Sequence, residues 1–222
     1  MSDQAIARTC RTLASEMRLR LLQHLVAEVE ATPTELAEAV GTTDSNVVQH
    51  LQVLCRDGFV ASLPRDSHKY YHIKKANFES DFEAGINDWA INLLKSTDKA
   101  AARHTNGMDK RGELKPQHSR LCEAVTLFTQ ERRLGLIRYI REKGPVDLGS
   151  LVTATHIPIT TVIYHLGKLM RRGVVKASIK RGETKKFSLP STMPAPDQES
   201  LLALLQTCWG PIKSGDTKDE GL

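Results

Sequence analysis

No two of this chain's four cysteines stand close together, and none lies at a CxxC spacing. Cys10, Cys55, Cys122 and Cys208 therefore offer neither the clustered thiolates of a structural zinc site nor a disulfide framework. A reducing, cytoplasmic setting is expected. Long apolar runs are missing too. The longest, such as LLALL at 201–205, are only a few residues, against the roughly 20 that span a bilayer. The opening MSDQAIARTCRTLASEMR has none of the continuous apolar stretch of a secretory signal. Also lacking are a phosphate-cradling glycine loop and a Ser/His/Asp or Cys/His nucleophile set. His68 and His72 are four apart, but on a predicted hairpin, where they make no ready ligand pair. No enzymatic activity, cofactor, metal or membrane span is expected.

What is present is repetition. Residues 45–60 read SNVVQHLQVLCRDGFV and residues 160–175 read TTVIYHLGKLMRRGVV. With one offset of 115 and no gap, Glu16, Arg18, Leu19 and Leu21 fall on Glu131, Arg133, Leu134 and Leu136. Leu36 falls on Leu151, His50-Leu51 on His165-Leu166, Leu54 on Leu169 and Gly58 on Gly173. The register runs from Ile6/Leu121 to Val60/Val175, and chance rarely holds one register that far. The 222 residues, 40% hydrophobic, fit two domains of about 100 residues with modest cores. The expected boundaries are 1–102, a linker at 103–119, 120–212, and a polar tail at 213–222.

Each copy reads as the same series of elements. Ile6, Cys10 and Leu13 have helical spacing, and Leu19, Leu22, Leu25, Val26 and Val29 line one face of a second helix. Thr32-Pro33-Thr34-Glu35 reads as a helix start with a capping box, and Asp147 holds the cap in the copy. That helix stops near Gly41, and the next carries Val47, Leu51 and Leu54 inward until Asp57-Gly58. FVASL, PRDSH and KYYHI then predict strand, turn and strand. VVKASI, KRGET and KKFSL repeat them with one extra turn residue, so that Tyr71 aligns with Phe187. Cys55, opposite Met170, and Cys10, opposite Val125, read as core, as do His50 and His165. The fold expected is mainly α with small β-hairpins (α+β): two tandem winged helix-turn-helix domains. Phe78, Phe82, Ile86, Trp89 and Leu93 predict a further helix over 78–101. Its apolar stripe would join either the two repeats or two chains as a homodimer. Leu201, Leu204, Leu205 and Cys208 predict a shorter helix over 197–209.

Leu13-Ala14, Met17-Arg18-Leu19-Arg20-Leu21-Leu22, Glu35-Leu36-Ala37, the SNVVQHLQVLCRDGFV run and KYYHI together resemble the bacterial and archaeal ArsR-type winged-helix repressors. The resemblance covers almost all of residues 6–96 and, more loosely, 121–190. It implies a cytoplasmic transcriptional regulator, located on the nucleoid when bound to DNA. Many metal-sensing members carry Cys-x-Cys in the helix before the turn. Here Thr32 and Thr34 stand in those places, and hydroxyls do not replace two thiolates for a soft metal. Members are usually single-domain dimers, whereas this chain carries the unit twice. Asp44 opens the second helix, and Val48 and Ile163 occupy a place usually polar in such readers.

The partner expected is double-stranded DNA. In the first repeat the contacting residues would be Thr43, Ser45, Asn46 and Gln49, since amides suit adenine edges and hydroxyls suit phosphates or bases. Arg65 and Lys69 lie on its wing. In the second repeat they would be Thr160, Thr161 and Tyr164, with Ile163 placed for a thymine methyl. From 168 to 186 the basic residues are Lys168, Arg171, Arg172, Lys176, Lys180, Arg181, Lys185 and Lys186, against Glu183 alone. Beside a helix-turn-helix this stretch reads as a phosphate clamp. The competing reading is a winged-helix module that bridges proteins without reading bases; there the apolar Val48 and Ile163 would face a protein.

Overall fold

The computed structural model describes residues 2–95, 116–193 and 195–210. The expected tail, most of the expected linker and the last six residues of the expected 78–101 helix lie outside them. The chain opens with α1 (Asp3–Leu13) and α2 (Glu16–Glu28), followed by a two-residue strand β1 (Glu30–Ala31). Next come α3 (Pro33–Val40), α4 (Asp44–Arg56), the hairpin β2 (Val60–Arg65) and β3 (His68–Ile73), and α5 (Asp81–Lys95). The later half contains α6 (Gln117–Thr126), α7 (Glu131–Lys143), β4 (Val146–Asp147), α8 (Leu148–Thr155) and α9 (Ile159–Arg171). It closes with β5 (Lys176–Ser178), β6 (Lys186–Ser188) and α10 (Pro196–Cys208). It is a mostly helical α+β structure with two small antiparallel sheets, ordered β1-β3-β2 and β4-β6-β5.

Local chemistry accounts for the helix ends. Thr32 accepts from the Glu35 amide while the Glu35 carboxylate accepts from the Thr32 amide, a complete capping box, and Pro33 takes the first turn. Asp147 accepts from the Ser150 amide at 2.8 Å. Gly41 closes α3 at φ +70°, a left-handed conformation that costs an ordinary L-residue about 1–2 kcal/mol. Val47, Leu51 and Leu54 on α4, and Val162, Leu166 and Leu169 on α9, are buried at 1% exposure or less.

Several expectations needed correction. Val29 does not extend the apolar face of α2. It lies beyond the helix end at φ +72° and is 65% exposed, because the chain turns there to pair β1 with β3. Those third strands, β1 and β4, are too short to show alternation and were not anticipated. The first wing's turn is Asp66-Ser67 alone, since Pro64 pairs with Lys69 and Arg65 with His68 inside the ladder. The second wing's strands shrink to three residues each. Residues 117–119, placed in the linker, form the first turn of α6. Phe78 precedes α5, whose buried residues are Phe82, Ile86, Asn87, Ala90 and Leu94, with Trp89 and Leu93 only half-buried.

The core is shared between the two halves. α1 packs on α6 and α7, α2 on α6, and α5 on α6 and α10. Polar ties reinforce the joint. Arg11 donates to the Thr129 carbonyl at 3.0 Å, Arg138 pairs with Asp3 at 3.1 Å, and Trp89 Nε1 donates to Ser200 Oγ at 2.9 Å. The apolar stripe expected to associate is thus covered within the chain. Leu204 of α10 lies on Gly85 of α5, where an added Cβ would come within 2.7 Å of it. The sequence correspondence at an offset of 115 extends to polar detail. Arg18 donates to the Arg11 carbonyl, and Arg133 donates to the carbonyl of Thr126, the residue aligned with Arg11.

Candidate nucleic-acid interface

The α3–α4 turn leads into α4, whose Val47, Leu51 and Leu54 face inward. Ser45, Gln49, Gln52 and Arg56 are left on its exposed face. Thr43 is the N-cap and accepts from the Asn46 amide at 3.4 Å. Asn46 is half-buried and spends its side-chain amide on Thr42 Oγ1 at 2.9 Å. Thr34 donates to Asp44 at 2.6 Å. Thr32 and Thr34, at the places that a Cys-x-Cys pair would take, are thus both engaged in holding helix starts. Of the four residues expected on α4, Ser45 and Gln49 present exposed side chains with no competing bond among the described residues.

The first wing is electrostatically quiet. Arg65 reaches back to Glu30 of β1 at 2.8 and 3.2 Å, and its guanidinium also lies 4.9 Å over the Tyr70 ring. Lys69 is exposed, 5.5 Å over the Tyr71 ring. The sequence register alone did not disclose that Arg65 is paired, because Glu30 is 35 residues away.

The positions 115 residues further on present different chemistry. His156 takes the position of Gly41 in the left-handed region at φ +54°. Pro158 replaces Thr43 as N-cap, α9 has no side-chain cap bond, and its first turn carries no acid. The positive end of its helix dipole is therefore met by neither a capping side chain nor an acid of its own first turn. The outer face of α9 carries Ile159, Ile163 and Tyr164, exposed by 51%, 53% and 56%. Thr160 is exposed and Thr161 half-buried. Lys168 Nζ lies 4.6 Å over the Tyr164 ring. Its hydrogen bond, then its charge, lower the Tyr164 phenol below the ordinary tyrosine value. Lys176, Lys180, Arg181, Lys185 and Lys186 are exposed, and none enters an ion pair among the described residues. Arg172, by contrast, pairs with Glu123 at 3.7 Å.

The paired histidines are interior groups. His165 is buried and His50 half-buried, and burial lowers both below the ordinary histidine value. The nearby Arg18 and Arg133, aligned positions themselves, lower them further. Sequence reasoning passed over Asp57, reading it as a helix stop. Its side chain is 1% exposed and accepts from Thr12 of α1 and from Arg56, with Arg8 at 3.6 Å. It therefore fastens the end of α4 to α1. An acid immediately before the Gly that ends a helix was the available signal.

A family model described as a helix-turn-helix domain matches residues 13–62, from the end of α1 to the start of the first wing. No curated protein matches the chain. Residues 13–62 form a helix-turn-helix, an architecture whose second helix enters the DNA major groove.

Proposed function

We propose that this chain is a DNA-binding transcriptional regulator of ArsR-like type, acting as a repressor by occupying duplex DNA. It would use two winged helix-turn-helix units as an intrachain pseudo-dimer. The units would comprise α2 to β3 and α7 to β6, mounted on the helical joint made by α1, α5, α6 and α10. The observation that carries this reading is the cationic wing at 176–186 beside α9, without an ion pair among the described residues and with Glu183 as its one acid. A phosphate backbone matches that wing, since each neutralised phosphate adds counterion release to affinity. Support for two units comes from the element order α2-β1-α3-α4-β2-β3, which recurs as α7-β4-α8-α9-β5-β6. Support for a single-chain arrangement comes from the covered stripe on α5. DNA occupancy would place the protein in the cytoplasm, on the nucleoid.

The exposed Ile159, Ile163 and Tyr164 favour a second reading, an interaction module whose α9 face meets another protein. One experiment separates the two. Binding of the full chain to a pool of random duplexes is measured across a salt series. The regulator reading requires affinity that falls linearly with log salt and enriches particular sequences. Absence of duplex binding at low salt would leave the module reading in its place.

A further inference from the structure

We propose that α9 reads thymine methyl groups on the floor of the major groove. The two recognition helices would then interrogate chemically different half-sites on one operator. This rests on the DNA-binding reading above and names what the second repeat recognises.

Side chains at aligned positions of α4 and α9 contrast in chemistry. The outer face of α4 has Asp44, Gln49 and Gln52 where that of α9 has Ile159, Tyr164 and Gly167. Amide side chains hydrogen-bond adenine edges; an isoleucine offers only apolar contact, and the apolar feature of the major groove is the thymine C5 methyl. The aligned Val48 is half-buried, whereas Ile163 is 53% exposed.

Gly167 adds room beside these side chains. It lies inside α9, four residues after Ile163, and a Cβ built there meets nothing within 4 Å. Glycine within a helix weakens it relative to alanine, and here no internal neighbour requires the missing side chain. A stripe of Ile163 and Gly167 lets an outside surface approach the helix backbone closely.

The surroundings of this face are cationic. Lysine is depleted in protein–protein interfaces, yet Lys168, Lys176, Lys180 and Lys186 belong to the same helix and its wing. A duplex offers phosphates for those cations and methyls for the isoleucines together, so the patch fits DNA better than it fits a protein.

The test uses the full chain and duplexes enriched from a random pool. These are resynthesised with deoxyuridine in place of thymidine in one half of the bound sequence at a time, which removes only the methyl. The expected result is a weakening confined to one half, about fourfold for each methyl that α9 touches. Ile163→Asn, at an exposed site, should abolish that discrimination while the salt slope stays unchanged. Gly167→Gln, which installs the residue found at the aligned position, should raise the melting temperature and weaken binding on the order of tenfold. Equal binding of thymidine and uridine duplexes, or equal weakening in both halves, would overturn the proposal while leaving DNA binding intact. So would a Gly167→Gln protein that binds like the parent. No binding to any duplex would remove both this inference and the function it rests on.

Discussion

Arg65 grips Glu30 through two hydrogen bonds of 2.8 and 3.2 Å, tying the tip of the first wing back to β1. The later hairpin, β5 to β6, has no such pairing for Lys180, Arg181 or Lys186 among the described residues. The two units therefore differ in the charge they can offer a duplex, and that asymmetry is open to measurement.

Lys180→Ala with Arg181→Ala should lower the salt slope of duplex binding by about 0.9 for each phosphate left unneutralised, and weaken all sequences alike. Arg65→Ala should scarcely change the slope. Glu30→Gln should increase it by releasing Arg65 to the backbone. Titration of one labelled duplex at several salt concentrations reads all three. A double variant with the parent's slope would place the clamp elsewhere.

Asp57 should make stability depend on acid pH. Burial alone would raise its carboxyl, but hydrogen bonds from Arg56 and Thr12 and the charges of Arg56 and Arg8 outweigh burial and hold it below the usual carboxylate range. A carboxyl lowered by folding stabilises fully above its unfolded value, near 3.9, and loses that contribution as pH falls through the lower folded value. Asp57→Asn should cost about 1–3 kcal/mol at neutral pH and flatten the acid limb of a denaturation series. A parent-like acid limb in the variant would contradict the role given to this carboxylate.

Stability and base preference should separate cleanly in the first repeat. Thr32→Ala removes a capping box that belongs to α3 and not to α4, and should cost about 1 kcal/mol of stability with unchanged DNA affinity. Gln49→Ala should leave stability alone and alter preference at one base pair by about 1–3 kcal/mol. Because Thr32 and Thr34 hold helix starts, a chelator should leave duplex affinity as it was. A binding curve that collapses on chelation and returns with zinc would refute that last expectation.

The two halves should unfold together, because α1, α2 and α5 share their core with α6, α7 and α10. Trp89 and Trp209 are the chain's two tryptophans, and both bond across the joint, to Ser200 and Asp3. Tryptophan fluorescence and far-ultraviolet dichroism should therefore give coincident denaturation curves. Leu205→Ala, at a site with no exposure, should shift both by about 2–5 kcal/mol. Two separated transitions would show that the halves are independent.

Local structure was legible in the sequence because it is decided by residues a few positions apart. The cap at Thr32, the helix stop at Gly41, the inward rows on α4 and α9 and the alignment of Tyr71 with Phe187 all follow from spacing and backbone preference. The 115-residue echo aligned Arg18 with Arg133, and the structure adds that both donate to carbonyls at aligned positions: like sequence makes like turns. What spacing could not decide was which groups meet across the fold. Glu30 finding Arg65, Asp57 finding Thr12, and Asn46 turning to Thr42 each depend on side-chain direction and distance. Those decide which of the expected DNA-facing groups are already engaged. The stripe on α5 was visible as a row of apolar residues, but an apolar row does not specify what covers it. Tertiary packing supplied α10 and α6, because burying that row within the chain removes it from water without ordering a second molecule.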